Sequence, residues 1–367
     1  MGAPIAVFGA GHSGFGLAGD LALRGFAVHL CEHPDFATAI EPVQRAGGIA
    51  VRGATGEGHA RVALATTDAA AALDGVALAF VVVPAYAHAA MARLLAPHVR
   101  AGLAVVLMPG NAGGALAFRH ALRAAGAPPI PVAEASSFIF ACKKEGPGGV
   151  WIRGVKRGLP VGVLPAESTD AVMALLHPLY PELVAAGDVL ETSLANANHV
   201  AHPPALLLNV ARIEAQGGDF SFFHEGMTPS VARLTEAVDA ERMAVVAALG
   251  YAPESTLEQL TRFYGDQGFG GATYYEAVHT TPVHGAARAP SSIDHRYFTE
   301  DLPFGLVPVA AIGAALGIPM PVTNGLIDVV GALSGTDFRA GGRTLEALGL
   351  VGMDAAAMRA FARRGAA

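Results

Sequence analysis

Ile5-Ala-Val-Phe8, followed at once by Gly9-Ala-Gly11-His-Ser-Gly14, constrains this chain more than any other stretch. The first four residues are an apolar run of buried-strand type. After the glycines, Leu17, Ala18, Leu21 and Ala22 recur at helical spacing as far as Arg24-Gly25, where Gly25 is placed to close a helix. Phe26–Cys31 reads as a second strand, and Glu32 stands at its end, eighteen residues after Gly14. Strand, glycine turn, helix, strand and acid follow in the order of a dinucleotide-binding unit. In that reading Gly9 makes the tight turn, Gly11 lets the backbone approach a pyrophosphate, and Gly14 lets helix and strand pack closely. The helix start, carrying His12 and Ser13, offers N–H groups and a positive dipole end to the phosphates. Glu32 is placed to accept hydrogen bonds from the adenosine ribose. Its charge repels a 2′-phosphate, so NAD(H) is expected over NADP(H), with His33 and Arg52 as cations that oppose the preference.

Short strands are expected at Ile49–Arg52 and Val62–Thr66 around a glycine-rich turn, and further strands at Leu78–Val83, Ala104–Met108 and Pro129–Ala133, with helical stretches before each of these. This alternation predicts a doubly wound α/β sheet of Rossmann type. Ligands of such sheets bind beyond the carboxyl ends of the strands, which places Val83-Pro84 and the second glycine-rich turn, starting at Pro109-Gly110, beside a cofactor. Residues 136–187 change character and look like additional strands. From Ser193 onward the pattern is helical, with periodic segments at 196–216, 229–249, 254–264, 305–316 and 321–333. The expected organisation is a dinucleotide-binding domain at 1–190 and an all-α domain at 191–367.

Composition narrows the partners. The net charge is −7 without any block of Lys and Arg, which argues against nucleic acid. The apolar stretch 76–95 contains Pro84, His88 and Arg93, which argues against a membrane span there. Cys31 and Cys142 are too few for a disulfide scaffold or a zinc site, and reduced thiols with no visible leader predict a cytoplasmic protein.

Two clusters carry chemistry. In Asn196-Ala-Asn198-His199-Val-Ala-His202-Pro203-Pro204, His202 precedes two prolines and is expected at a break in a helical segment, its ring turned to a cleft. Histidine suits proton transfer because its ordinary pKa lies near neutrality. His199 and His202 could pair on a metal, but no third ligand with matching spacing is evident, so no metal is expected. The second cluster, Asp294-His295-Arg296 with Tyr297, Phe298, Glu300, Asp301 and Phe304, interleaves charges with aromatics. Arg296 offers a planar fork for a carboxylate, and an aspartate can orient a histidine ring. The sequence does not itself bring Asp301 to His202. In a third stretch, Thr228-Pro229 reads as a helix start, and Glu225 either touches substrate or merely precedes that helix.

Across nearly its full length the chain resembles the opine dehydrogenase family, which includes octopine and nopaline dehydrogenases, carboxyethyl-norvaline dehydrogenase and opine-metallophore dehydrogenases. The resemblance lies in GAGHSG at 9–14, VVVPAYAH at 81–88, PGNAGGAL at 109–116, EASSFIFACK at 134–143, NANHVAHPP at 196–204, EGMTPSVARLTEAVDAER at 225–242 and DHRYFTEDLPFGLV at 294–307. It implies a Rossmann domain joined to a helical domain similar to that of 6-phosphogluconate dehydrogenase. It further implies NAD(P)H-dependent condensation of an amino acid amine with a 2-oxo acid through an imine, and a homodimer. By matched motif His202 would be the acid/base residue, Asp301 its partner, Arg296 the carboxylate anchor and Asn198 a polar group near the reacting centre. Phe140 stands where much of the family has Tyr. The competing readings are a 3-hydroxyacid dehydrogenase or ketopantoate reductase, and a non-catalytic dinucleotide sensor. The former enzymes typically use a lysine in the helical part, and residues 190–367 contain none. The latter has no need of His202, Arg296 and Asp301 together.

Overall fold

The four residues of β1 (Ile5–Phe8) are all buried, as a strand covered on both faces must be. In this computed structural model, which describes residues 2–281, 285 and 287–365, β1 lies inside an eight-stranded sheet. The strands in chain order are β2 (Val28–Cys31), β3 (Gly48–Gly53), β4 (Gly58–Arg61), β5 (Leu64–Thr66), β6 (Leu78–Val81), β7 (Ala104–Leu107) and β8 (Val132–Ala135). They continue with β9 (Phe140–Glu145), β10 (Gly149–Val155), β11 (Leu159–Leu164) and β12 (Leu183–Ala185). The large sheet runs β12-β11-β8-β7-β6-β1-β2-β5, parallel except where β11 meets β8. Phe8 is in register with Val81, and Val81 with Leu107, so the chain leaves β1, β6 and β7 at one edge through Gly9, Val82 and Met108.

Two expectations are corrected here. The strand expected at 129–133 forms three residues later, at Val132–Ala135, after the run Pro128-Pro129 and Pro131, whose rings supply no ladder donors. The segment 136–187 does not simply extend one sheet. β9 and β10 leave it for a second sheet of order β4-β3-β10-β9, in which Gly149 on β10 is in parallel register with Ala50 on β3. That sheet packs on helix α1 (His12–Leu23), and a Cβ at Gly19 would lie 2.7 Å from a Val51 methyl. The glycine there is a packing requirement of the small sheet.

The chain divides into two compact units. One comprises the described chain as far as Gly110, together with Gly114–Val189 and Arg363–Gly365; the other comprises Asn111–Gly113 and Leu190–Ala362. The helical unit contains α2 (Asn198–Leu207), α3 (Arg296–Thr299) and α4 (Val307–Ala315), besides longer helices at Pro229–Ala248 and Pro321–Ser334. The periodic segment 196–216 is two helices, because the chain leaves helical geometry at Asn209 before Val210–Gln216. Among the described residues one helical run, Arg296–Ala315, is long and apolar enough to cross a membrane, and most of it is buried in this unit as a core helix.

Candidate active site

The glycine turn is built almost wholly from backbone. Gly9 has φ +109°, and a Cβ on it would sit 2.5 Å from Val82 O. A Cβ on Gly14 would lie 1.7 Å from Gly9 O, so the helix can start this close to the strand only with glycine. Gly11 is different: its φ of −77° suits any residue, and a Cβ there would meet no protein atom within 4 Å. The protein itself gives no reason for a glycine at 11, whereas close approach of a pyrophosphate does. The first hydrogen bond of α1 runs from Phe15 N–H to Gly11 O, and His12, Ser13 and Gly14 precede it with their N–H groups at the helix mouth. A nicotinamide dinucleotide therefore fits this end of the sheet.

Glu32 is buried, and each carboxylate oxygen takes one backbone N–H: Ala10 at 2.6 Å and His33 at 2.7 Å. It fastens the end of β2 to the turn, and each oxygen has a second lone pair for a ribose hydroxyl. Sequence reasoning missed the other clamp on the turn. Strand β9 reaches it through Lys144, whose Nζ donates to Ala10 O (3.1 Å) and lies over the Phe15 ring, and whose N–H donates to His12 Nδ1 (3.1 Å). Cys142 Sγ donates to His12 O, and burial pushes this thiol up to about 12, so it is no nucleophile. Val83 and Pro84 follow β6 beside Gly9, and Pro109-Gly110 follows β7. A Cβ on Gly110 would lie 2.4 Å from Glu134 Oε2, so this glycine is accounted for by packing. Phe140 meets Phe138 and Tyr180 edge-on in the core, which is its structural role.

In the helical unit the polar centre is Asn111, which has φ +58° and a buried side chain. Its amide orientation follows from its neighbours. Asn198 N–H donates to Asn196 Oδ1 (3.0 Å), which turns Asn196 Nδ2 toward Asn111 Oδ1 (2.7 Å). The same Oδ1 faces His199 Nε2 at 3.1 Å, so that nitrogen carries the proton, and Asn111 Nδ2 donates to Glu300 Oε1 at 2.8 Å. Burial lowers the His199 pKa to about 4, consistent with a neutral ring. Gly305, in a π turn at Leu302–Leu306, is required by this ring, since a Cβ would lie 2.3 Å from it.

One turn along α2, His202 Nδ1 lies 2.7 Å from Asp301 Oδ2, in a pair where the aspartate is buried and the histidine retains 15% exposure. The carboxylate selects the Nδ1–H tautomer, in which Nε2 is the basic nitrogen. Burial raises the Asp301 pKa to about 6. His202 is not at a helix break, as expected from the sequence, but within α2, which continues through Pro203 and Pro204. The two prolines omit the ladder donors to His199 O and Val200 O without ending the helix. Tyr297 stacks on the His202 ring at 3.9 Å, and Phe223 lies 6.0 Å away.

Arg296 opens α3, its Nη2 2.7 Å from Glu300 Oε2 and its side chain 46% exposed. Its charge, with that of His202, bears on His295, which burial first of all lowers to about 4. It also acts on Asp301, so the three expected residues His202, Asp301 and Arg296 share one electrostatic neighbourhood. Asn198 contributes its backbone N–H to the network, while Asn111, Asn196, His199, Glu300 and Tyr297 were not picked out as site residues by sequence reasoning. Their signals were in the motifs, but nothing in spacing joins position 111 to position 300. Glu225 is exposed and paired with Arg212 at 2.7 Å, remote in character from a buried proton donor.

A dinucleotide-type turn on one unit and an oriented histidine–aspartate pair with a nearby arginine on the other define a nicotinamide-dependent oxidoreductase. Comparison with known proteins agrees. Residues 185–334 match the family model for the alpha-helical domain of NAD/NADP octopine/nopaline dehydrogenase, and residues 5–165 match that for ketopantoate reductase PanE/ApbA. The chain is 40% identical to an opine dehydrogenase of Arthrobacter sp. (strain 1C), over 96% of this chain and 97% of that one. It therefore belongs to the opine dehydrogenase family. Its fold is similar to an octopine dehydrogenase solved with NADH and L-arginine, with TM-score 0.76, 21% identity and coverage of 99% and 98% of the two chains. It is also similar to an NADP+-bound yersinopine dehydrogenase, with TM-score 0.71, 17% identity and coverage of 98% of each chain. The enzyme is an NAD(P)-dependent oxidoreductase acting on CH–NH bonds, which condenses an amine with a 2-oxo acid reductively. The ketopantoate reductase family model matches only residues 5–165, while residues 185–334 match the octopine/nopaline model; as a fold, a chain of ketopantoate reductase type from Ralstonia solanacearum is similar over 92% of this chain, with TM-score 0.62 and 21% identity.

Proposed function

We propose that His202 is the proton donor and acceptor of this reaction, that Asp301 holds its ring, that Arg296 anchors a substrate carboxylate, and that Asn198 lies near the reacting centre. The observation that carries the reading is the 2.7 Å pair between His202 Nδ1 and buried Asp301. An amine and a 2-oxo acid condense to an imine with loss of water. Histidinium at His202 gives a proton from Nε2 to the departing oxygen, or donates a hydrogen bond to the developing amine. Asp301 stabilises the imidazolium and fixes which nitrogen faces the substrate. Arg296, itself held by Glu300, fixes the carboxylate and so the face of the imine presented for reduction. When bound, the nicotinamide dinucleotide supplies the hydride.

Gly9, Gly11, His12, Ser13 and Gly14 are assigned to the pyrophosphate, Glu32 to the adenosine ribose, and Val83, Pro84, Pro109 and Gly110 to the cofactor's far side. Glu32 favours NADH, because its buried carboxylate repels a 2′-phosphate. The substrates are a free amino acid and a small 2-oxo acid, and the enzyme is read as a cytoplasmic homodimer. The test is a matrix of amino acids against pyruvate, 2-oxoglutarate and related acids, followed by loss of reduced-cofactor absorbance with NADH and with NADPH. Turnover is expected only with both substrates present and with the higher kcat/KM for NADH. Equal turnover of the oxo acid alone, yielding a hydroxy acid, contradicts the substrate assignment, and a preference for NADPH removes Glu32 from the ribose.

A further inference from the structure

The ring of Tyr297 lies face to face with the His202 imidazole, 3.9 Å between centroids and 25° between planes. It is held there by its own neighbours. Phe222 lies 5.1 Å from it, the His295 ring meets its edge at 4.4 Å, and its backbone N–H donates to His295 Nδ1. The π face of a phenol carries negative charge density and attracts a cation placed over it. Around His202 also lie Asp301 just before the π turn, Arg296 and the cap residue His295 of α3, His199 from α2 itself, and the uncharged ring of Phe223. Asp301 favours an imidazolium and Arg296 opposes it. His199 and His295, both lowered to about 4, are uncharged near neutral pH. The aromatic face therefore adds an attractive element on the flat side of the ring, which Asp301 cannot reach.

We propose that Tyr297 is a positioning residue for His202, its ring face holding the imidazole plane and stabilising the protonated form. The catalytic part of this proposal rests on the reading of His202 as the proton donor; the titration does not. The experiment is an NMR titration of the full-length protein labelled on histidine, with the His202 signal assigned by its loss in His202→Gln. In Tyr297→Leu the His202 midpoint is expected to fall by about 0.5–1.5 pH units. Tyr297→Met, which fills space without a π face, serves the same purpose if the leucine variant does not fold. Tyr297→Phe, which keeps the face and loses the hydroxyl, is expected to restore the wild-type midpoint to within about 0.2 units. In the reductive direction kcat falls as His202 loses its proton, so this alkaline fall moves to lower pH in the leucine variant and returns in the phenylalanine one.

An unchanged midpoint in the leucine and methionine variants overturns the proposal. So does a raised one, which means that the ring acts by excluding water. A phenylalanine variant that behaves like the leucine one assigns the effect to the hydroxyl and overturns it equally. A midpoint that falls as expected while the kcat profile stays put upholds the ring contact and contradicts His202 as the proton donor.

Discussion

The turn between β1 and α1 and the cluster around Asn111 are made from opposite materials. The turn is a contiguous stretch, Gly9–Gly14, in which close backbone approach and helix N–H groups do the work, and a Cβ at Gly9 or Gly14 would clash with backbone. The cluster joins residues from 111 to 300 through side-chain atoms, each hydrogen bond fixing the polarity of the next, with the His202–Asp301 pair one turn along α2. The two sites are therefore vulnerable to different changes. A backbone-built site fails when a Cβ is added; a side-chain-built site fails when a charge or fork is changed, although the fold around it stands.

The largest expected effect is on the turn. In Gly14→Ala the new Cβ meets a carbonyl oxygen at 1.7 Å, and neither partner is a flexible side chain. Loss of about 3 kcal/mol or more is expected, read as a fall in Tm or in the yield of folded protein. Gly11→Ala adds a Cβ that meets no protein atom, so stability is expected to change by less than about 1 kcal/mol. Its Kd for NADH, followed by fluorescence, is expected to rise about tenfold or more, because the methyl group stands where the pyrophosphate approaches. Unchanged NADH affinity in this variant would mean that residue 11 is not at the phosphates.

In the cluster the expected effect is smaller and falls on a different constant. Arg296→Lys keeps the charge beside Glu300 but loses the planar fork, so KM for one carboxylate substrate is expected to rise about three- to tenfold with kcat little altered. Equal KM values for both substrates in wild type and variant transfer the anchor to another residue.

The same contrast decides what was legible beforehand. Glycine spacing, the strand before it and Glu32 after it are adjacent in sequence, so the glycine turn and the parallel sheet could be read directly. The helical half was also legible as periodicity. The partnership of β10 with β3 was not, because parallel pairing across about a hundred residues leaves no local signal. The clamp by Lys144 follows from that pairing and was equally hidden. Residue type and resemblance single out His202, Arg296 and Asp301, and the structure brings His202 to Asp301, but two prolines predict a break where α2 continues. Asn111 and Glu300 could not be joined, since the bond between them is a side-chain contact across 189 positions. Tyr297 looked like one aromatic among several, and only the stacking distance separates it from Phe298, which is buried in the core.

Proton transfer is assigned to His202 in the helical unit and dinucleotide binding to the glycine turn, and both assignments are tested together by measuring kcat and the Kd for NADH in His202→Ala. In that variant kcat is expected to fall by about 10²–10⁴ while Kd stays within about twofold of wild type. Retention of most of the activity, or a loss explained by weakened NADH binding, would contradict these assignments.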